Sequence, residues 1–246
     1  MDPAKRAEDL LQRMTMEEKF WQMYMIPGDL GRNDEDYSHG IFGFQVTTKG
    51  KKAGASQQLL AYDHGGQAGG AAETINRIQK YFIDSTRLGI PVIPFDEALH
   101  GLVRGGASAF PQAIALAATF DSDLMSEVAS CIAEETRSRG IRQVLSPVVN
   151  IARDVRWGRT EETYGEDPFL CSEMSVSFVR EFEKRGIITT PKHFVANVGA
   201  GGRDSYPIHF NERLLGEIYF PAFKSCFEKG GSRSVMTAYN SLDGSP

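Results

Sequence analysis

Cysteine is scarce in this chain: three in 246 residues, Cys131, Cys171 and Cys226. Their spacing fits neither a disulfide framework nor a metal or redox motif. Each falls in a stretch expected to be helical, where a buried thiol packs as a small apolar side chain. No metal site and no cofactor is expected. Long hydrophobic runs are missing as well; none approaches the roughly 18 residues needed to cross a bilayer, so no membrane partner is expected. Basic runs are also absent. Lysine and arginine number 27 against 32 acids, a net charge of −5, which argues against a nucleic-acid partner. The amino end, MDPAKRAEDL, lacks the apolar core of a signal peptide. The expectation is a cytoplasmic chain, or a periplasmic or secreted one from which a leader has been removed. Finally, no glycine-rich phosphate turn follows the first expected strand, which leaves a doubly wound nucleotide-binding sheet without its usual signature.

What is present is ordinary for a globular domain, 41% hydrophobic and 24% charged, at a length suited to one α/β barrel or two smaller domains. A helix is expected over about 3–13, and Thr15-Met16-Glu17-Glu18 reads as a capping box opening a second. Strands are expected at 41–46, 90–95, 144–149, 187–190 and 234–239. Helices are expected at 71–88, from Asp121 or Ser122 to about Arg139, at 168–184, and from an Asn211 cap to about Glu228. Residues 49–70, rich in Gly, Ala, Gln and Lys, read as an exposed loop. Phe110–Phe120 is apolar and compatible with either strand or helix.

The most informative stretch is LSPVVNIARDVRWGRTEETYGEDP, residues 145–168. An apolar strand delivers Arg153, Asp154, Arg156, Arg159, Glu161 and Glu162 to a loop, and Asp167-Pro168 then caps the next helix. Polar clusters likewise follow the other strands: Glu97 and His100 after one, Lys192-His193 after another. Each has a bland reading, as an exposed ion pair or a satisfied core histidine. Together, polar groups after rather than before strands favour a parallel sheet with right-handed crossovers, a (β/α)8 TIM-barrel-like α/β domain active at its C-terminal rim. Only five or six strands are visible where a closed barrel has eight, so the barrel reads as incomplete.

Several motifs resemble the amino-terminal barrel domain of glycoside hydrolase family 3, the β-glucosidases and β-xylosidases. They are RMTMEEK at 13–19, EALHG at 97–101, FPQAIALAATFD at 110–121, ARDVRWGRTEETYGEDP at 152–168, KHF at 192–194 and MTAYN at 236–240. They occur in the family's order and run nearly end to end. The resemblance implies that residues 1–246 are the leading part of the barrel domain. The remaining strands and a second α/β domain would come from the rest of the same polypeptide or a complementary chain. It also implies an exo-acting, retaining β-xylosidase and/or β-glucosidase that releases a terminal sugar from the non-reducing end of an oligosaccharide or β-glycoside. By resemblance, Glu97, Arg153, Lys192, His193 and Arg203 ring the sugar, with Tyr239 close to the reacting carbon. The residue types suit the task, because carboxylates accept sugar hydroxyls while Lys, Arg and His donate to them. Trp157 is expected to pack beneath its loop, and Arg159 and Glu162 to hold the loop's shape.

Family enzymes use a carboxylate nucleophile and a separate acid/base, about 5–5.5 Å apart. The nucleophilic Asp is expected in a Ser-Asp motif beyond Pro246. Ser122-Asp123 opens a helix instead, and Asp243 sits in a turn, so this chain is expected to bind sugar without cleaving it. KHFVANVG lacks the pattern of the amino-sugar branch, which argues against such substrates. EALHG resembles the β-xylosidase pattern, where glucosidases often place Asp at the position of Glu97. The competing readings are a non-catalytic carbohydrate-binding remnant and an unrelated barrel enzyme using Lys192 as a Schiff-base amine.

Overall fold

A computed structural model describes residues 2–27, 30, 37–45, 68–199, 201–202 and 207–245. The chain divides into two compact units, Met1–Phe95 with Arg104–Gly106, and Asp96–Val103 with Ala107–Pro246. The expected loop at 49–70 lies outside the described residues except for its last three, which open a helix.

In the first unit, α1 (Pro3–Arg13) and α2 (Met16–Trp21) meet at Thr15. Thr15 Oγ1 accepts from the Glu18 amide at 3.2 Å, and the Glu18 carboxylate accepts from the Thr15 amide at 2.8 Å. This is the reciprocal cap anticipated from the sequence. Arg87 donates to the same carboxylate from Nε at 2.9 Å, and that bond above all holds the Glu18 carboxyl down at about 2. Strands β1 (Met25–Pro27), β2 (Gly43–Gln45) and β3 (Ile93–Asp96) run parallel, Met25 opposite Gly43 and Gly43 opposite Ile93. Helix α3 (Ala68–Ser85) buries Ile75, Ile78 and Phe82, spaced by three and four so that they share one face. Ile78 and Phe82 join Leu30, Ile41, Phe44 and Val92 in the unit's core. Each such large apolar side chain contributes about 2 kcal/mol on burial. Gln79 fastens α3 to the start of β3, its amide donating to the Val92 carbonyl at 2.6 Å and accepting from the Val92 amide at 3.1 Å.

The second unit holds α4 (Ala113–Ala117), α5 (Ser122–Ser138), β4 (Gln143–Val144), α6 (Pro168–Glu183), β5 (Ile188–Thr189), β6 (Lys192–Phe194), α7 (Glu212–Leu214), α8 (Phe220–Glu228) and β7 (Met236–Thr237). Asp121 caps α5 by accepting from the Asp123 and Leu124 amides at 3.0 and 2.9 Å. Asp167 caps α6 through Leu170 at 2.6 Å, with Pro168 in the first turn. Such caps are worth about 1 kcal/mol each. Helix α6 packs against both α5 and α8, with the Phe178 and Phe182 rings stacked at 4.4 Å.

Strand β4 pairs parallel with β5, and β6 pairs parallel with β7. Val144 lies opposite Thr189 and Val148 opposite Lys192, so β5 and β6 run on as one strand. Seven strand segments among the described residues therefore make six strand positions. All expected strands form but are shorter than their apolar runs. The run at 144–149 keeps a regular ladder only at its start, since Pro147 has no amide to donate. Strand β1 was not anticipated, being three residues long and ending in proline. Phe110–Phe120 resolves as a loop leading into α4. The helix capped by Asn211 is interrupted by a π-helical turn at Leu215–Tyr219, which the sequence pattern did not indicate.

Candidate functional site

Glu97 comes directly after β3 and is set by its neighbours. The buried Asp96 carboxylate accepts from the Glu97 amide at 2.8 Å, and the Asp96 carbonyl accepts from the Leu145 amide at 2.8 Å. Ala98 then turns in the left-handed region, φ 55°, a conformation that costs a non-glycine residue about 1 kcal/mol or more. Gly101 closes the turn at φ 110°, where any Cβ would fall 2.2 Å from the Ser108 carbonyl oxygen, so no other residue fits. His100 is fastened by its Nδ1 at 2.9 Å from the Phe110 carbonyl.

Lys192 and His193 lie on β6 and are almost fully buried. Lys192 Nζ donates to Glu97 Oε2 at 2.5 Å, joining residues 95 positions apart in sequence. His193 is held by Asn150, which lies three residues before Arg153. The Asn150 Nδ2 donates to the His193 carbonyl at 3.1 Å, while its Oδ1 accepts from the His193 amide at 2.9 Å and stands 3.0 Å from Nδ1. An amide oxygen only accepts, so Nδ1 carries the proton. The Val149 amide donates to the Lys192 carbonyl at 2.9 Å, locking the two strands in register. The peptide bonds Lys192–His193 and Phe194–Val195 are both cis. Tyr239, just beyond β7 and 67% exposed, lies with its ring 6.2 Å from that of His193.

Arg153 sits apart from these contacts and is exposed. It lines a recess of about 550 Å³ with Asp154, Val198, Ile208, Phe210 and Tyr219, among others. Arg203 lies outside the described residues. The structure thus joins Glu97, Lys192, His193 and Tyr239 through a chain of contacts, and places Arg153 on a recess of its own.

The loop around Arg153 is kept in shape by other charges. Arg159 forms a two-pronged pair with Glu162 at 2.8 and 2.7 Å, with both side chains largely buried. Trp157 is 1% exposed and packs inside the protein, so it offers no face to a sugar. Asp154 accepts from Arg156 at 2.9 and 2.7 Å, which holds its carboxyl down at about 2. Asp123 lies in the first turn of α5. Asp243 stands 3.3 Å from His209 on the surface. Burial pushes the Cys226 thiol up to about 12 and Cys171 higher still, so neither is a nucleophile at neutral pH. Among the described residues no group of three His, Cys, Asp or Glu is placed to hold a metal ion, and no helix is long and apolar enough to cross a membrane.

Two residues that sequence reasoning passed over belong to this account. Asn150 stood in the run VVNIA as the one strongly polar side chain of an apolar strand end, a signal that was there to be read. Tyr219 carried none, because ERLLGEIYF reads as plain helix.

Parallel strands joined by helices, with charged groups gathered where the strands end, define an α/β domain of the TIM-barrel type. The chain belongs to glycosyl hydrolase family 3: the model of that family's N-terminal domain matches residues 15–246. It is 37% identical over 180 residues to a β-xylosidase of Formosa agariphila, covering 65% of this chain and 24% of that protein. It is 37% identical over 166 residues to a β-glucosidase of Rhizobium radiobacter, covering 64% and 20%. A solved β-glucosidase from Erythrobacter marinus superposes with a TM-score of 0.81 at 30% identity, over 100% of this chain and 33% of that one. The chain therefore spans about a quarter of the curated relatives it matches. Its fold is α/β and TIM-barrel-like, with fewer strands among the described residues than a closed barrel has.

Proposed function

We propose that this chain supplies the sugar-binding subsite of an exo-acting, retaining β-glycosidase acting on β-xylosides, β-glucosides or both. The observation that carries the reading is the Glu97–Lys192 pair beside His193, with Glu97 directly after β3 and Lys192 and His193 on β6. It gathers one carboxylate acceptor, one ammonium donor and a histidine ring whose Nδ1 proton is held by Asn150, the mixture of acceptors and donors a polyhydroxylated ring requires. The names of the relatives supply the linkage class. Residues 1–246 are the leading part of the barrel domain, and the relatives' roughly threefold greater length leaves room for the remaining strands and a second domain.

In a retaining enzyme one carboxylate attacks the anomeric carbon while an acid protonates the leaving oxygen. The same acid, now a base, then takes a proton from the water that releases the sugar. The carboxylates described here are committed elsewhere: Glu97 to Lys192, Asp154 to Arg156, Asp243 to His209. We therefore assign nucleophile and acid/base to other parts of the complete enzyme, and binding to these residues. A Schiff-base role for Lys192 fits poorly, since its ammonium is taken by a carboxylate and that chemistry needs an uncharged amine.

The test compares kcat/KM for aryl β-xyloside and aryl β-glucoside in the complete enzyme and in Glu97→Asp. The longer Glu97 side chain occupies space that a hexose's exocyclic CH2OH needs, so wild type is expected to favour the xyloside. Shortening it should move the ratio toward glucoside by about tenfold, within the 1–3 kcal/mol such steric discrimination supplies. An unchanged ratio removes Glu97 from substrate selection. Product of inverted anomeric configuration, read by NMR, defeats the retaining assignment; release of internal fragments from a xylo-oligosaccharide defeats the exo assignment.

A further inference from the structure

We propose that Asn150 fixes His193 as the tautomer protonated on Nδ1, so that Nε2 meets the sugar as a hydrogen-bond acceptor and selects a hydroxyl that donates. The proposal rests on the reading of His193 as a sugar-binding residue.

Asn150 and His193 are each 1% exposed, and one side-chain amide spans both the backbone and the ring of the histidine. The Asn150 Nδ2 stands 3.1 Å from the His193 carbonyl, and Oδ1 stands 2.9 Å from the His193 amide. A backbone carbonyl only accepts and a backbone amide only donates. These two groups settle which end of the Asn150 side chain is oxygen. Turned over, it would set donor against donor and acceptor against acceptor. The same oxygen lies 3.0 Å from Nδ1 of the ring. Its two lone pairs serve the backbone amide and a ring N–H together. Were the ring's proton on Nε2 instead, lone pairs would face each other across that gap. The strand ladder holds Asn150 at this station: Val148 pairs with Lys192, and the Val149 amide donates to the Lys192 carbonyl at 2.9 Å.

The consequence lies at the other nitrogen. In a neutral ring protonated on Nδ1, Nε2 has a lone pair and no proton. Lys192 and His193, adjacent in sequence, then play opposite parts toward a sugar: the ammonium gives and the imidazole takes. Without Asn150 the ring can carry its proton on either nitrogen, and that division is lost.

The experiment uses the complete enzyme and an aryl β-xyloside. Inhibition constants are measured for free xylose and for its forms with each hydroxyl in turn replaced by hydrogen or by fluorine. Fluorine accepts weakly and cannot donate. The hydroxyl that meets His193 is the one whose removal costs His193→Ala no further affinity. At that position the deoxy and fluoro sugars should bind wild type equally poorly, each about tenfold weaker than xylose. A fluoro sugar that binds there nearly as well as xylose shows His193 donating and overturns the proposal. The imidazole 15N NMR spectrum, taken without substrate, is a readout independent of His193→Ala. It should show Nδ1 protonated and Nε2 unprotonated in wild type, and Asn150→Ala should lose that pattern. A proton on Nε2, protons on both nitrogens, or an unchanged pattern in Asn150→Ala each overturns the proposal. If His193→Ala folds and every deoxy sugar loses as much affinity in it as in wild type, the sugar-binding reading of His193 falls. The acceptor role falls with it, whatever the spectrum shows.

Discussion

Two groups of candidate sugar-binding residues in the second unit are built in opposite ways. Glu97, Lys192 and His193 are immobilised: Lys192 and His193 are almost fully buried, and a strand ladder and the Asn150 amide fix the backbone around them. Arg153 and Tyr239 stand in the open, carried on loop and strand-end positions, and Asp154 and Arg156 beside Arg153 pair largely in solvent. The first group is suited to hold one sugar ring in one pose, because preorganised groups lose little freedom on binding. The second must be oriented by partners, and its individual charges are screened by water.

The largest expected effect comes from the buried group. Lys192→Met removes a cation that donates to Glu97 and, on the proposed reading, to a sugar hydroxyl. Hydrogen bonds to charged groups contribute about 1.5–3 kcal/mol, so kcat/KM of the complete enzyme should fall roughly 100-fold. Lys192→Arg should not restore it, since a planar guanidinium does not fit the slot of a compact ammonium that is only 3% exposed. Wild-type kinetics in Lys192→Met would remove the buried group from substrate binding altogether.

A smaller effect is expected one step back from the sugar. Asn150→Ala leaves the buried His193 amide, carbonyl and Nδ1 without their shared partner, at a cost of about 1–3 kcal/mol in stability. His193 loses its fixed ring orientation, and kcat/KM should fall about tenfold while Asn150→Asp, which keeps the acceptor, falls less. Denaturant unfolding and steady-state kinetics read the two effects separately. A variant that loses stability but no activity would make Asn150 a structural clamp only.

Much of this comparison was legible in the sequence, and the physical reasons for the gaps are specific. Caps at Thr15, Asp121, Asp167 and Asn211 each marked a helix start, because short polar side chains satisfy the first free amides and nothing tertiary is needed. Polar groups after apolar runs located the strand exits that carry Glu97 and Lys192. The contact between those two lay 95 positions apart and followed only from topology. The π-helical turn left no trace, since a one-residue widening changes direction without changing composition. Tyr219 therefore read as one more helical aromatic, and its place with Arg153 in the lining of one recess emerged only from the coordinates.

The smallest effect belongs to the open group. Asp154 is hydrogen-bonded to Arg156 at its side chain and backbone, and these bonds hold its carboxyl down at about 2. A carboxyl lowered by folding contributes stability above its unfolded range, near 3.8. That contribution fades as pH falls through 3.8 toward 2. The pair is solvent-screened, so its net worth is a small fraction of what the depressed carboxyl suggests. Asp154→Asn should accordingly move the thermal midpoint by no more than about 2 °C at pH 7. The difference from wild type should shrink as pH falls from 3.8 to about 2 and vanish below it, where Asp154 too is protonated. A larger shift, or one that grows on acidification, would show that Asp154 is held as firmly as Glu97, and the contrast between a rigid and an open group would not survive it.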